Sequence, residues 1–276
     1  MAASHGRFLW YELATTDVAA AKAFYTNVVG WDADDASAPG MDYILFSAGK
    51  ATVSGLTNLP EEARKSGATP AWFGYVGVDD VDAAADRARQ LGGRVLIPPS
   101  DIPNVSRFSV IADPQMATLA LVKWRKAREQ PAGLDAPGGV GWHELFVADG
   151  DKALAFYSAL FGWQKVDADD GAANAHRLFS AGGQTIGNIS NMPDTAPEPF
   201  WLYYFNVGDI DAAAKRVKAG GGQILLGPAD VADGSRIIHC SDPQGAMFAL
   251  VGKRKYQGPG YFPRITSRDP SGARFG

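Results

Sequence analysis

Two glutamates stand in the same short sequence context and are the first candidates for chemistry. Trp10-Tyr11-Glu12-Leu13 near the N-terminus returns as Trp142-His143-Glu144-Leu145. A glutamate among apolar side chains is desolvated, which raises its pKa and suits it to general acid or base catalysis near neutral pH. It could equally pair with a cationic group of a ligand. The alternative is a structural role, with Arg107 or Arg236 as the partner that a buried carboxylate needs.

Few other side chains offer chemistry. His239 lies beside Cys240 and is a candidate acid, base or ligand, although the face of its strand is not clear from the pattern. His143 is expected to be a core histidine. Cys240 is the single cysteine, so neither an intrachain disulfide nor a cysteine-rich zinc site is expected.

The glutamates belong to an internal repeat that covers most of the chain. Phe24-Tyr25 before Gly30-Trp31 is matched by Phe156-Tyr157 before Gly162-Trp163, and Asp113-Pro114-Gln115 returns as Asp242-Pro243-Gln244. Repeats of this kind indicate one structural unit used twice. The predicted organisation is a first domain (5–124), a linker rich in Pro and Gly (125–138), a second domain (139–252) and a basic, aromatic tail (253–276).

Each copy alternates strands and helices in the same order. A strand at 8–14 precedes a helix at 18–28, which Asp17 can cap and Gly30 ends. A hairpin follows, then a strand at 72–78, a helix at 79–91 and three short strands. The sequence therefore predicts an α+β fold in which each copy contains βαβββ twice, giving four such units.

This order of elements and motifs resembles the vicinal oxygen chelate superfamily, also called the glyoxalase/bleomycin-resistance/dioxygenase fold. The chain is similar to a tandem glyoxalase-like or hydroxylase-like subgroup marked by Trp-x-Glu-Leu on the first strand. The resemblance implies that paired units curl their sheets into half-open cups, covered outside by helices and holding a ligand within. Whether units pair within one copy or between copies stays open.

Side-chain alternation along the strands predicts what lines these cups. Phe8, Trp10, Glu12 and Ala14 share one face, and Leu9, Tyr11 and Leu13 are expected under the helices. The same parity places Leu202 inside. The predicted catalytic residues are Glu144, Glu12 and His239, and the predicted ligand-binding residues are Trp10, Trp142, Phe73, Tyr75, Tyr204, Asn206, Arg107 and Arg236.

The resemblance also implies which positions would carry metal ligands, and at these positions this chain has side chains that cannot bind a metal ion. The positions that carry ligands in metal-binding members are filled by Trp10, Phe73 and Ala120 in the first copy and by Trp142, Leu202 and Ala249 in the second. A divalent ion needs several N, O or S donors at once. A protein without metal or other cofactor is expected; the alternative is a divalent metal ion held by an unconventional set that includes Glu144 and His239.

The composition of the chain limits which classes of binding partner are expected. The chain has 276 residues, a net charge of -4, 46% hydrophobic and 20% charged residues, and a pI near 5.6, which argues against nucleic acid as the main partner. No apolar run is long enough for a membrane span, and the first residues lack the hydrophobic stretch of a secretory signal. A cytoplasmic monomer or homodimer that binds a small molecule is the expectation.

Three functions remain open from the sequence. The first is a metal-independent protein that binds an aromatic or heterocyclic compound, as a resistance-type binder or an acid/base catalyst of secondary metabolism. The second is a metal-dependent glyoxalase-like lyase or oxygenase. The third is a scaffold with degenerate cups. Because only the second copy has Asn206 and His239, the cup that contains Glu144 is the preferred site.

Overall fold

The computed structural model describes residues 4–38, 40, 42–126, 133–167, 176–193, 196, 198–231 and 234–254. It contains two similar halves, each with one eight-stranded sheet. The first half has β1 (Phe8–Thr15), α1 (Val18–Val29), β2 (Asp32–Asp35), β3 (Tyr43–Ala48), β4 (Ala51–Asn58), α2 (Glu61–Lys65), β5 (Ala71–Gly77), α3 (Val81–Gln90), β6 (Arg94–Ile102), β7 (Ser106–Ala112) and β8 (Thr118–Trp124). The second has β9 (Val140–Val147), α4 (Gly150–Phe161), β10 (Gln164–Val166), β11 (His176–Ala181), β12 (Gln184–Asn191), β13 (Phe200–Asn206), α5 (Ile210–Ala219), β14 (Gln223–Asp230), β15 (Arg236–Ser241) and β16 (Met247–Gly252). We call these halves domain 1 and domain 2.

The strand order shows which units pair. It is β2-β3-β4-β1-β5-β8-β7-β6 in domain 1 and β10-β11-β12-β9-β13-β16-β15-β14 in domain 2. In domain 1 the first strands of the two βαβββ units, β1 and β5, run antiparallel at the centre, and each is parallel to the last strand of its own unit. Each copy therefore closes its own open cup, which answers the question that the sequence left open and confirms the α+β architecture.

Helix boundaries follow the predicted caps. The Asp17 carboxylate accepts from the Ala20 amide at 2.9 Å, and Gly30 ends α1 in the left-handed region at φ 88°. Domain 2 repeats this with Asp149 and Gly162. Strands β2 and β10 and helix α2 were not predicted, because short polar segments such as β2 carry no apolar pattern that separates them from loops.

A β-bulge corrects one face assignment. Pairing between β1 and β5 shifts register between Phe8 and Trp10. Phe8, expected inside the cup, therefore turns to the helix side, where its ring stacks on His143 with 4.1 Å between centroids. Leu9, expected under the helices, is only half-buried. Trp10 and Glu12 keep the predicted inward direction because they lie beyond the bulge.

The helix layer joins the two domains. Helix α1 packs against α5, and α3 against α4. The Tyr25 hydroxyl of α1 donates to Asp242 Oδ2 at 3.0 Å, and the Tyr157 hydroxyl of α4 donates to Asp113 Oδ2 at 3.1 Å. The repeated Phe-Tyr and Asp-Pro-Gln motifs thus bind each other across the interface, which explains their spacing without any chemistry.

Equivalent residues of the two copies meet at the centre of this interface. Tyr11 and His143 occupy the same repeat position, and the Tyr11 hydroxyl lies 2.6 Å from His143 Nε2. His143 Nδ1 lies 2.7 Å from the Ile186 carbonyl oxygen. Since a carbonyl only accepts, Nδ1 carries the proton and Nε2 accepts from Tyr11. Burial lowers the pKa of His143 to about 4, which makes it the expected core histidine.

The predicted tail and linker lie partly outside the described residues. Of the predicted tail, only Lys253 and Arg254 lie within them, and Arg254 pairs with Asp211 at 2.9 Å. Of the predicted linker, residues 127–132 lie outside. Among the described residues, none of the helices has the length and apolar character that crossing a membrane requires.

The pKa of His143 predicts a specific acid sensitivity. Below pH 6.5 the unfolded chain binds a proton at this imidazole, whereas the folded protein does not until about pH 4. Stability contributed by the neutral imidazole is therefore lost as pH falls through this window, by about 3 kcal/mol in total. The free energy of unfolding, measured with urea at several pH values, should depend less on pH in His143→Gln than in the wild type. Tyr11→Phe keeps the imidazole and should keep the wild-type slope; equal slopes in all three proteins would contradict the assignment.

A second prediction concerns the turns before β8 and β16. Met116 occupies the left-handed region at φ 79°, where domain 2 has Gly245 at φ 95°. A side chain costs about 1–2 kcal/mol in that conformation, so Met116→Gly should raise the free energy of unfolding by roughly 1 kcal/mol. The matched change Gly245→Ala meets no atom within 4 Å of the new methyl group and should cost a similar amount through backbone strain alone. A Met116→Gly protein less stable than the wild type in urea would refute the strain argument.

Candidate functional site

A large cavity lies on the inner face of the domain 1 sheet and reaches domain 2. Its volume is about 2180 Å³. We call it the cup cavity. Its lining is mainly apolar and includes Trp10, Phe73, Tyr75, Phe108 and Trp124 of domain 1 and Phe146, Phe200, His239 and Met247 of domain 2. A concave, mostly aromatic surface with few polar groups is typical of small-molecule sites.

Glu12 is the charged group held at the centre of this wall. Tyr43 Oη donates to Glu12 Oε2 at 2.7 Å, and Tyr75 Oη donates to Oε1 at 3.0 Å. Burial raises the pKa of Glu12, and the two tyrosine hydrogen bonds partly oppose this shift. Each carboxylate oxygen keeps a second lone pair. Glu12 is only half-buried, so a ligand in the cavity can reach that unused acceptor capacity.

Neighbouring strands make the Glu12 arrangement possible. The Trp10 indole Nε1 donates to the Tyr43 hydroxyl at 3.3 Å, and the Trp10 ring meets Trp124 edge-on at 6.2 Å. Tyr43 crosses over Gly55 of β4, where a methyl group would overlap the Tyr43 ring and hydroxyl. Glycine at residue 55 therefore gives the tyrosine its access to the carboxylate.

Glu144 of domain 2 has a related but different environment. Its Oε1 accepts from Asn188 Nδ2 at 2.9 Å and from Ser190 Oγ at 2.6 Å, and its Oε2 accepts from the Tyr204 hydroxyl. The Trp142 indole donates to Asn188 Oδ1 at 2.5 Å. In both domains the indole N–H donates to the side chain that donates to the glutamate, Tyr43 in domain 1 and Asn188 in domain 2. Asn188 takes this role at the position that Gly55 fills in domain 1.

The inner face of domain 2 is more tightly packed than that of domain 1. Phe146, Leu202, Tyr204 and Ala249 form a small buried cluster there, and Leu202 stands where domain 1 has the half-buried Phe73. Glu144 is 7% exposed and does not line the cup cavity, nor do Trp142 and Tyr204. The predicted preference for the cup of Glu144 stays a prediction, while the cup cavity is lined by Glu12 and not by Glu144.

His239 connects the buried network of domain 2 to the cavity. Its Nε2 lies 2.7 Å from the Tyr204 hydroxyl, and its side chain lines the cup cavity. The inward face, which the sequence could not assign, is thus established. Burial lowers the pKa of His239, and the charge of Glu144 acts in the opposite direction.

Three predicted site residues lie elsewhere. Arg107 donates two hydrogen bonds to Asp82 at 2.6 and 2.7 Å, and Arg236 pairs with Asp211 at 2.8 Å. These arginines therefore bind acidic residues in the first turns of α3 and α5, not the glutamates, because exposed aspartates are nearer along the surface. Asn206 donates to the carbonyl oxygens of residues 134 and 136 and so holds the linker, not a ligand in the cup cavity.

Four contributors were not predicted: Tyr43, Trp124, Asn188 and Ser190. Strand parity contained a signal for Trp124, which shares a face of β8 with Ala120. Asn188 and Ser190 likewise alternate along β12, opposite Glu144 and Phe146. Tyr43 could not be predicted as a site residue without the pairing of β3 with β4, because that pairing places its ring over Gly55, which leaves room for it.

The described residues offer a divalent metal ion a poor donor set. Trp10 and Ala120, which stand where the sequence resemblance implies metal ligands, flank Tyr75 on adjacent strands and cannot ligate a metal ion. Asp42 and Glu198 also line the cavity, but Glu12 is the carboxylate on the aromatic wall, and both its oxygens accept from tyrosines. Within the ranges that the structure describes, no group of three or more His, Cys, Asp or Glu side chains is arranged to hold a metal ion.

Comparison with known proteins now places the fold. A family model described as the Glyoxalase/Bleomycin resistance protein/Dioxygenase superfamily matches residues 7–121 and 139–250. The chain belongs to this superfamily. The two matches correspond to domains 1 and 2, so the resemblance expected from the sequence is confirmed, together with the tandem arrangement.

Two relatives in the superfamily match over most of their length. CFP32 of Mycobacterium tuberculosis, whose name describes it provisionally as a glyoxylase, is 37% identical over 245 residues, covering 88% of this chain and 93% of the relative. The anthracycline biosynthesis protein DnrV of Streptomyces peucetius is 33% identical over 261 residues, covering 89% and 93%.

Solved structures support the fold at much lower identity. The 2,3-dioxygenase LapB from Pseudomonas sp. KL28 has a TM-score of 0.62 at 14% identity, covering 93% of this chain and 95% of that one. A Mn(II)-bound glyoxalase from Novosphingobium aromaticivorans has a TM-score of 0.59 at 17% identity, covering 91% and 83%. These superfamily members share the architecture, and their identity is too low to transfer an activity.

Proposed function

We propose that the protein binds a planar aromatic or heterocyclic compound in the cup cavity, without a metal ion, and that Glu12 is the polar anchor. The observation that carries the proposal is the half-buried Glu12, held by Tyr43 and Tyr75, in a wall of aromatic side chains. Flat rings gain most from such a wall, because aromatic side chains supply large apolar area and favourable edge and face contacts.

The polar groups of the cavity indicate which ligand atoms they would meet. Glu12 is an acceptor once ionised, so its ligand must present a hydroxyl or amine hydrogen to it. A volume of about 2180 Å³ has room for a fused-ring compound. The relative DnrV is named for anthracycline biosynthesis, and anthracyclines are fused-ring aromatic compounds with hydroxyl groups. This relation supports a hydroxylated polycyclic ligand.

Acid/base catalysis on the bound compound is the second candidate. The raised pKa of Glu12 favours it, because a carboxylate desolvated among aromatic rings exchanges protons closer to neutral pH than an exposed one. A resistance-type binder would need Glu12 only to hold the ligand. The binder and the catalyst are distinguished by whether the compound recovered after release from the protein has been chemically changed.

Exchange of the glutamates tests which cup binds. Glu12→Gln removes the charge and leaves the shape, so affinity for a hydroxylated anthraquinone should fall roughly tenfold or more, the typical effect of losing a hydrogen bond to a charged group. Quenching of tryptophan fluorescence reports binding, since Trp10 and Trp124 line the cavity. The matched Glu144→Gln variant changes a carboxylate that does not line the cavity and should lose much less affinity than Glu12→Gln. The reverse pattern would move the site to domain 2, and no binding by any of the three proteins would favour the scaffold.

The metal requirement is tested on protein purified without chelators. Elemental analysis should find much less than one divalent ion per chain, and neither EDTA nor added Mn²⁺ or Zn²⁺ should change the affinity for the anthraquinone. The physical reason is the shortage of donors around Glu12. A stoichiometric ion that disappears in Glu12→Gln or Glu144→Gln would instead support the metal-dependent lyase or oxygenase.

A further inference from the structure

Glu144, Tyr204 and His239 form a chain of hydrogen bonds that ends at the cup cavity. The Tyr204 hydroxyl contacts Glu144 Oε2 on one side and His239 Nε2, at 2.7 Å, on the other. Glu144 and Tyr204 are buried, and His239 is half-buried and lines the cavity. Domain 1 cannot form this chain, because Val110 stands at the position of His239.

The hydrogen positions in this chain follow from the inventory of donors. The Glu144 carboxylate accepts from Asn188, Ser190 and Tyr204, so the single Tyr204 hydrogen is directed at Glu144. The Tyr204 oxygen must then accept from His239 Nε2–H. A neutral imidazole with its hydrogen on Nε2 has a lone pair on Nδ1. Within the described residues, His239 Nδ1 has no hydrogen-bond partner.

We propose that His239 Nδ1 is a base that takes a proton from an acidic hydroxyl group of the aromatic ligand, with Tyr204 and Glu144 as positioning residues. This rests on the proposed binding of such a ligand in the cup cavity. The O–H bond of the phenol breaks, its electron pair stays on oxygen, and an N–H bond forms at Nδ1. The products are a bound phenolate and an imidazolium whose charge faces Glu144 through Tyr204. The proton returns when the ligand leaves.

The surroundings of His239 suit this role. On the neighbouring strands it pairs with Leu226 of β14 and Ala249 of β16, and the Phe146 ring meets it edge-on at 6.2 Å. The Tyr204 hydroxyl contacts His239 directly, and the charge of Glu144 acts on it; Glu198 also lines the cavity. Burial lowers the pKa of His239, which keeps the imidazole neutral at neutral pH and its Nδ1 lone pair free. Glu144 then favours the imidazolium once the proton has moved.

The test uses alizarin, a planar dihydroxyanthraquinone whose visible absorbance changes when a phenolic hydroxyl ionises. A pH titration of the bound dye should show a lower apparent pKa than the free dye in the wild type. His239→Gln should shift that pKa back toward the free value while the dye remains bound. Tyr204→Phe removes the group that fixes the tautomer and should shift it in the same direction. His5→Gln, a histidine outside the cavity, is the matched control and should behave as the wild type.

Nitrogen-15 NMR of the imidazoles reads the tautomer without any ligand. Protonated Nε2 and unprotonated Nδ1 at His239 are expected in the wild type, and a mixture of tautomers in Tyr204→Phe. Hydrogen on Nδ1 of His239 in the wild type would overturn the proposal, as would a bound dye whose pKa is the same in His239→Gln. If the dye does not bind at all, both this inference and the proposed function fail, whereas binding with an unchanged pKa refutes only the inference.

Discussion

Two buried tyrosine–aspartate hydrogen bonds fix how the halves of this protein fit together. Tyr25 of domain 1 donates to Asp242, and Tyr157 of domain 2 donates to Asp113. Asp113 also accepts from the amides of residues 115 and 117, so it shapes the turn before β8 at the same time. Turn and interface therefore depend on one side chain, whose burial would be costly without these donors. With the helices between the sheets, the inner faces stay available for a ligand.

Joining the two copies in one chain allows equivalent positions to hold different residues. Where a symmetric pair would place two identical side chains face to face, Tyr11 meets His143, and the Tyr203 hydroxyl accepts from the Gly74 amide N–H at 2.7 Å. A side chain at residue 74 would overlap both Tyr203 and Phe8. The cups diverge by the same means, since Gly55 admits a tyrosine to Glu12, while Asn188 binds Glu144 directly. Glu12 borders the cup cavity, whereas Glu144 is buried and its network reaches the cavity through His239.

The internal repeat and the spacing of apolar residues were enough to predict the architecture. The alternation of side chains along a strand is a local property, and it predicted the inward direction of Trp10, Glu12, Phe73 and Tyr75. Phe8 was assigned wrongly because a bulge is decided by the pairing of two strands. Arg107 and Arg236 were misplaced for a related reason, since long side chains bind whichever acid lies within reach. The cavity depends on the sizes of side chains from several strands, for example Phe73 in domain 1 at the position that Leu202 fills in domain 2. No single segment of the sequence therefore predicts it.

Trp10 and Trp142 stand where the resemblance implies a metal ligand, and the proposed metal-free site therefore has a different electrostatic character. A metal ion neutralises the carboxylates around it, and donors on the ligand are then unnecessary. Here the Trp10 indole N–H donates to Tyr43, which donates to Glu12. In domain 2 the Trp142 indole N–H donates to Asn188, which donates to Glu144. Neutral donors therefore surround each carboxylate. Neutral donors stabilise a carboxylate without cancelling it. In the proposed site, the acceptors at Glu12 and at Nδ1 of His239 would select a ligand that brings its own hydrogens. A planar compound with hydroxyl groups, as proposed above, meets this requirement, and a compound without N–H or O–H hydrogens does not.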